Sequence, residues 1–184
     1  MKNIIIYIAL FLGFSLTGKA QTIKGGLKAG VNYSLFTQET KNIEGGVGYE
    51  IGYFEQLDLE NKYKLQVEIE YISNTYTSFK NKYVESYNYL EIPFIIKRSL
   101  SSSFDLGIGV KYAKGLRASR ITTIGTEKTT TESEIKGGHG FFVDMALSLS
   151  KVDLGLRLNF NSGKIVDKYD RRSANFYVAF NIFK

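Results

Sequence analysis

Residues 64–72 read Lys-Leu-Gln-Val-Glu-Ile-Glu-Tyr-Ile, alternating oil and charge almost without error. Leu65, Val67, Ile69 and Tyr71 fall on one parity, and Gln66, Glu68 and Glu70 on the other. In an extended chain, residues two apart share a face, roughly 6.5–7 Å from each other. The stretch is therefore a strand with one apolar and one charged side. Two carboxylates at that spacing suit the acid and base of a glycoside hydrolase. They suit equally the wet side of a sheet, and the surrounding sequence favours that reading.

The same period of two recurs along the chain and gives about eight segments of around ten residues each. Near 23–35, Leu27, Ala29, Val31, Tyr33 and Leu35 oppose Lys28, Gly30, Asn32 and Ser34; near 46–57, Val47, Tyr49, Ile51 and Tyr53 oppose Gly48, Glu50, Gly52 and Gln56. Past the opening stretch, a segment near 87–97 sets Leu90, Ile92, Phe94 and Ile96 against Glu91 and Lys97. Another, near 104–114, sets Leu106, Ile108, Val110 and Tyr112 against Asp105 and Lys111. The last three, near 140–150, 152–161 and 174–183, place Asp144, Arg157 and Asn175 on their polar faces. No apolar 3.6-residue period runs for three turns after residue 20.

Links near 60–61, 100–103 and 150–151 are short, whereas those near 36–45, 74–86, 115–139 and 162–173 are long and polar. Short turns at one end and long loops at the other define an outer-membrane barrel with both termini on the periplasmic side. A soluble lipocalin-like barrel would invert the faces. Against it stand segments of the ~9–11 residues a tilted strand needs to cross a bilayer. Tyr33, Tyr53, Tyr71 and Tyr112 also cap the apolar faces as an aromatic girdle would, and glycines crowd the polar face. The expected fold is an all-β, eight-stranded antiparallel up-and-down transmembrane barrel with a polar, charge-filled lumen.

Residues 1–20 form an expected secretory signal peptide: Lys2, an apolar run over 4–16, and Gly18-Lys19-Ala20 before cleavage at Gln21. The run is shorter than the ~20 residues of a spanning helix. Residues 21–184 are then one barrel domain. Setting aside Lys2 and Lys19 from the 24 basic residues leaves 22 against 18 acids, a modest and dispersed excess that gives no nucleic-acid stripe. With no cysteine, an exported chain must find its stability elsewhere, and a closed hydrogen-bond ladder supplies it.

The stretches Gly26-Leu-Lys-Ala-Gly-Val-Asn32, Leu65-Gln-Val-Glu-Ile-Glu-Tyr71 and Tyr89-Leu-Glu-Ile-Pro93 resemble the PorT-like outer-membrane β-barrel proteins of Gram-negative bacteria. The resemblance covers essentially all of 21–184. It implies an eight-stranded barrel in the outer membrane, and little about activity. Within it, Pro93 falls mid-strand, where the missing N–H calls for a bulge or irregular pairing.

In such a lumen Glu68 and Glu70 join Glu50, Glu91 and Asp144, with Lys28, Lys111 and Arg157 as counter-charges. Eight strands enclose an interior just wide enough for side chains to fill it. These eight residues are therefore expected to form a structural charge network and no catalytic site. Lys28 should meet Glu50 across the first hairpin, and Arg157 should reach Glu68 or Glu91 with its planar fork. His139, the sole histidine, lies in Lys136-Gly-Gly-His-Gly140 without an adjacent His-x-Ser or Gly-x-Ser-x-Gly pattern. A dyad with Asp144, one or two pairs below, is conceivable; a solvated loop histidine is the expectation. No metal or other cofactor is implied.

The Thr-rich run 120–131 reads as a mobile solvated loop. Lys164, Lys168, Arg171 and Arg172, diluted by Asp167 and Asp170, are candidates for lipopolysaccharide phosphates. Expected partners are outer-membrane lipid and lipopolysaccharide and a further envelope protein, with no nucleic acid and a monomeric barrel. The expected function is non-enzymatic: structural, adhesive or accessory. A small porin-like channel for polar solutes and a lipid A-modifying enzyme using His139 are the alternatives.

Overall fold

The alternation that starts at Lys64 continues as a strand through Ser78, six residues past the quoted stretch. The computed structural model describes residues 23–38, 43–78, 83–124, 127–133, 135, 137–162 and 169–183. The expected signal peptide lies outside them. Nine strands follow in order: β1 Ile23–Gln38, β2 Ile43–Asp58, β3 Tyr63–Ser78, β4 Tyr83–Ser99, β5 Phe104–Ile124, β6 Glu127–Ser133, β7 Gly138–Leu149, β8 Val152–Ser162 and β9 Tyr169–Phe183. A 3-10 turn, Glu60–Lys62, joins β2 to β3.

Nine strands make eight staves. β5 pairs with β7 up to Ala113↔Gly138 and with β6 from Ala118↔Ser133. Both sides advance five residues between those pairs, so β6 and β7 are one stave in one register, interrupted near Ile135. Each stave pairs antiparallel with the next, and β1 closes on β9 from Gly25↔Phe183 to Gln38↔Tyr169. The barrel is closed, antiparallel and up-and-down. Every backbone ladder within the membrane then has a partner on both sides, which lipid requires.

Sidedness follows the pleat. Leu27, Val31, Val47, Ile51, Ile69, Phe94, Ile96, Ile108, Val110, Phe141, Phe176 and Phe180 are exposed on the outer wall. Lys28, Glu50, Glu68, Glu70, Glu91, Lys111, Asp144 and Arg157 are buried inside it. The outward apolar run of β8, over 152–160, covers nine residues. At ~3.3 Å per residue and a tilt of ~40° that spans roughly 23 Å, close to the ~25 Å apolar band of such barrels. Charges close the band: Glu55 and Arg98 outside at the periplasmic end, Lys114 and Arg172 at the other.

The long loops are the main correction to the sequence reading. The described residues of segments 36–45, 74–86, 115–139 and 162–173 are nearly all strand, with ladders reaching Thr37↔Ile43, Ser78↔Tyr83 and Ile124↔Glu127. In the Thr-rich run 120–131, expected as a mobile loop, residues 120–124 and 127–131 are paired strand of β5 and β6. Beyond the bilayer both faces of a strand meet water, so alternation fades while Thr, Tyr and Val keep the extended backbone favourable. At the periplasmic end the turns are tight. Ser150 adopts a left-handed φ of 60° in the two-residue β7–β8 turn, and Asn61 and Lys62 do likewise at 59° and 66° before β3.

Pro93 disturbs pairing without shifting register. The β3–β4 ladder passes from Val67↔Phe94 to Glu70↔Glu91 with the two intervening pairs missing, while Pro93↔Lys111 holds on the β5 side. The true register shift of β4 against β5 falls between Asn88 and Tyr89. It accommodates Leu116, so Ala113 and Ala118, five apart, are both buried.

Candidate functional site

The centre of the lumen is built on Arg157, mid-strand in β8 and 1% exposed. Its neighbours Gly155 and Tyr177 explain why it fits. A Cβ on Gly155 would collide with the Tyr177 ring, so only glycine lets that ring cross the barrel. Arg157 then stretches between Phe142, 4.5 Å from the ring centroid, and Tyr177 at 5.6 Å. Its fork grips Glu68 with both ends, Nη1 donating to Oε2 at 2.9 Å and Nη2 to Oε1 at 2.8 Å. Nε donates to Asp144 Oδ1 at 2.8 Å, and Nη1 approaches both Glu70 oxygens at 3.4 Å. All three nitrogens of the guanidinium donate, as a planar fork permits and a lysine would not.

Lys28 occupies the other side of the same carboxylates. Its Nζ lies 3.1 Å from Glu68, donates to Glu70, and sits 4.1 Å above the Tyr177 ring and 3.4 Å from Glu50. Lys97 meets Asp144 Oδ2 at 3.1 Å, and Tyr177 donates its hydroxyl to the same oxygen at 2.9 Å. Lys28, Lys97, Arg157 and the four carboxylates thus share one contact network, mutual partners that make a desolvated charge tolerable.

Of the residues read from sequence, Lys28, Glu50, Glu68, Glu70, Asp144 and Arg157 come together here. Glu91 and Lys111 pair with each other at 2.7 Å. With Glu91 taken up by Lys111 on the adjoining strand, Glu68 is the carboxylate that Arg157 reaches across the lumen. Lys97, Phe142 and Tyr177 are members that the sequence does not signal, although Lys97 stands on the polar parity of β4. Its link to Asp144 reaches over β5, where Gly107 pairs with Lys97 on one side and with Asp144 on the other, and strand alternation alone does not give that register.

The catalytic reading of Glu68 and Glu70 fails on access. Both are 1% exposed, and their oxygens face Arg157 and Lys28. The conceivable His139–Asp144 dyad fails on the pleat: five residues apart on one strand, they face opposite sides. His139 is an exposed strand residue of β7, not a loop residue, and borders an outward apolar hollow with Phe94, Val110, Tyr112 and Phe141. In register it pairs with Tyr112 on β5 and with Ser162 on β8. Among the described residues no group of three His, Asp or Glu side chains could hold a metal ion.

Above the charge network the lumen changes character. Asn175 donates to Glu50, Asn159 Nδ2 donates to Asn175 Oδ1 at 3.0 Å, and Ser34 donates to Asn74 at 3.4 Å. Nearer the outer mouth, Tyr76, Tyr87, Tyr89 and Ala118 pack together with Ile135 against them. Beyond the mouth the hairpins continue, tied by Arg120 and Tyr87 to Glu85 and by Arg117 to Glu132.

A closed eight-stave barrel with an apolar outer band and an ion-paired interior is a transmembrane barrel of the outer-membrane type. No family model and no curated protein matches the sequence. Among solved structures the chain is similar to Ail, the attachment invasion locus protein of Yersinia pestis. The TM-score is 0.58 at 7% identity, over 86% of this chain and 98% of that one. Ail in complex with the heparin analogue sucrose octasulfate matches at 0.57, with 8% identity over 87% and 99%. Neisserial surface protein A matches at 0.55, with 13% identity over 89% of this chain and 100% of that one. At these identities the likeness is one of fold.

Proposed function

We propose that the protein, freed of residues 1–20, is a monomeric, non-enzymatic outer-membrane barrel whose projecting hairpins bind a molecule outside the cell. The adhesive role is favoured over a purely structural one by one observation. Among the described residues β6, at the end of the strand order, pairs only with β5, and Ser162, the last described residue of β8, is level with His139. The strip 128–132 is an exposed strand whose second edge has no partner among the described residues. Unpaired edge groups accept an added strand from a partner. Ail, similar in fold, is known in complex with the heparin analogue sucrose octasulfate, and a polyanion is the second ligand class we propose for the outer hairpins of this chain. Lys114 and Arg172, both exposed, are the cations that would meet lipopolysaccharide phosphates in this reading. Lys164 and Lys168, read as part of that cluster, lie outside the described residues.

A proline scan tests the edge. Only alternate N–H groups of β6 point away from β5. Proline at one parity of residues 128–131 should abolish capture of partners from envelope or host-surface extracts while the barrel still folds. Proline at the other parity should break the hairpin itself. Undiminished capture by every variant, including one with the 121–130 tip replaced by a two-residue turn, would refute adhesion through this edge.

The backbone register of Ser162 opposite His139 favours one second reading, a lipid-modifying activity at the outer rim. The lipid A profile of a His139→Ala strain decides it.

A further inference from the structure

The outer strip of β6 reads Lys128-Thr-Thr-Thr-Glu132, with opposite charges at equal distances from Thr130. All of these residues are exposed, on both faces of the strand. One edge is used by β5, where Ser119↔Glu132 and Thr123↔Lys128 mark the two ends of the strip. The other has no partner among the described residues. Glu132 is ion-paired with Arg117 of its own hairpin, both side chains more than half exposed. Lys128 makes no ion pair among the described residues.

When an edge pairs with the same segment of a second copy, a two-fold axis relates them, and residue i faces j while j faces i. An antiparallel ladder allows that axis between any opposed pair. Centred on Thr130, the pairing sets Lys128 opposite Glu132 of the partner subunit, and Glu132 opposite the partner's Lys128. Thr129 faces the partner's Thr131, and Thr130 faces the partner's Thr130. Opposed residues share a face with Cβ atoms about 4.5–5.5 Å apart, close enough for an ion pair. Glu132 would then stand between its own Arg117 and the partner's Lys128. Opposite-charge and Thr–Thr pairs are both favourable across strands, and threonine favours the extended backbone. Thr130 is also the middle residue of β6, so this centre pairs the whole strand. A shift of one residue either way shortens the ladder and brings no lysine opposite a glutamate within β6.

We propose that this edge pairs with the same edge of a second copy held in an opposing membrane. The proposal rests on the reading of β6 as a strand-accepting edge and names its partner. Topology selects the opposing membrane. Copies in one membrane are related by rotation about the membrane normal, which leaves both β6 strands running the same way. That arrangement sets Lys128 level with Lys128 of the partner subunit. The two-fold axis of the antiparallel pairing stands perpendicular to the sheet and turns the barrel end over end, so the second membrane faces the first. A ladder of seven exposed residues is weak by itself, and many copies between two surfaces multiply it. Within its own membrane the barrel stays a monomer.

The test is clustering of phosphatidylcholine vesicles, read by light scattering, after the full barrel is inserted from outside so that its hairpins face outward. Vesicles carrying the unaltered protein should cluster. Lys128→Glu and Glu132→Lys should each return scattering to that of empty vesicles, because each sets like charges opposite in both pairs. A mixture of the two variants should cluster again, and so should the double variant, since both restore two opposite-charge pairs. Clustering by either single variant alone, or a mixture that stays dispersed, would overturn the pairing. Where a charge variant fails to insert, cross-linking decides, since the chain has no cysteine of its own. Thr130→Cys should form disulfide-linked dimers between vesicles under a mild oxidant, and Thr129→Cys, displaced from the two-fold axis, should not. Equal cross-linking at both positions, or none at either, would refute the register. Unaltered vesicles that stay dispersed overturn the second copy as partner; capture from extracts that is still lost in the proline scan would then leave the strand-accepting edge standing with a different partner.

Discussion

Removing Arg157 tests the central network at its most connected point. Arg157→Met deletes contacts to Glu68, Glu70 and Asp144 and leaves two lysines, Lys28 and Lys97, facing four carboxylates. Unpairing one member of a buried ion pair typically costs about 3–5 kcal/mol. Hydration of the outer lumen lowers that figure and the threefold contact raises it, so the range stands. Glu68→Gln loses the 2.8 and 2.9 Å fork and turns an amide NH2 toward the guanidinium, but it also removes one of the four negative charges that the cations face. A hydrogen bond to a charged group is worth about 1.5–3 kcal/mol, so this change should be the milder one. The double variant no longer strands the guanidinium against an amide. Its cost should fall short of the sum by about 1–3 kcal/mol, the coupling expected of residues in contact. Urea titration in phospholipid vesicles, followed by tyrosine fluorescence and by gel mobility, measures all four states. Additivity within about 0.5 kcal/mol, the behaviour of independent sites, would refute the pairing. A change in single-channel conductance of Glu68→Gln with unmoved stability would show instead that the carboxylate lines an open path.

The closed ladder should make the protein fractionate with the outer membrane and run faster unheated than boiled on a mild detergent gel; recovery from the soluble periplasm would refute the transmembrane reading. His139→Ala should leave the mass profile of host lipid A unchanged, and a shift would establish the lipid-modifying alternative. Gly155→Ala should push the Tyr177 ring from its place, because the new methyl would overlap it. The expected loss is about 1–3 kcal/mol of stability, as for overpacking in a core, read as a lower urea midpoint.

The barrel is legible because period two is a strong signal where one face meets lipid and the other a packed lumen. Residues 65–71 and 152–160 carry both halves of that contrast. The signal ends where the contrast ends. Over 121–131 no face is apolar, so alternation cannot tell the hairpin tip from a loop, although Ile121 pairs with Thr130 in a regular ladder. The strand propensity of Ile121-Thr122-Thr123-Ile124 is the one available clue there. The charged residues are legible as a set and only partly as pairs. Lys28 and Glu50 stand on neighbouring strands, and counting along the hairpin brings them within reach. Arg157 and Glu68 are 89 residues apart and meet across the lumen. Charge and side-chain length suggest their match, but only the closed barrel, with Glu91 on Lys111, selects Glu68.

The distribution of polarity along the axis gives the barrel two separable tasks. In the membrane half, ion pairs and the rings of Phe142 and Tyr177 fill the lumen with side chains that each have several partners, so a change in one disturbs many. Above them the contacts become neutral, from the Asn159–Asn175 relay to the tyrosines beside Ile135, and then local, as in Arg117–Glu132 on the hairpin. An exposed pair of that last kind contributes little to stability, about 0–1 kcal/mol at the median. The outer hairpins can therefore accept substitutions over 128–132 that the lumen around Arg157 cannot. A surface that binds a variable partner needs that freedom, and the ion-paired lumen beneath supplies the rigid frame on which it can vary.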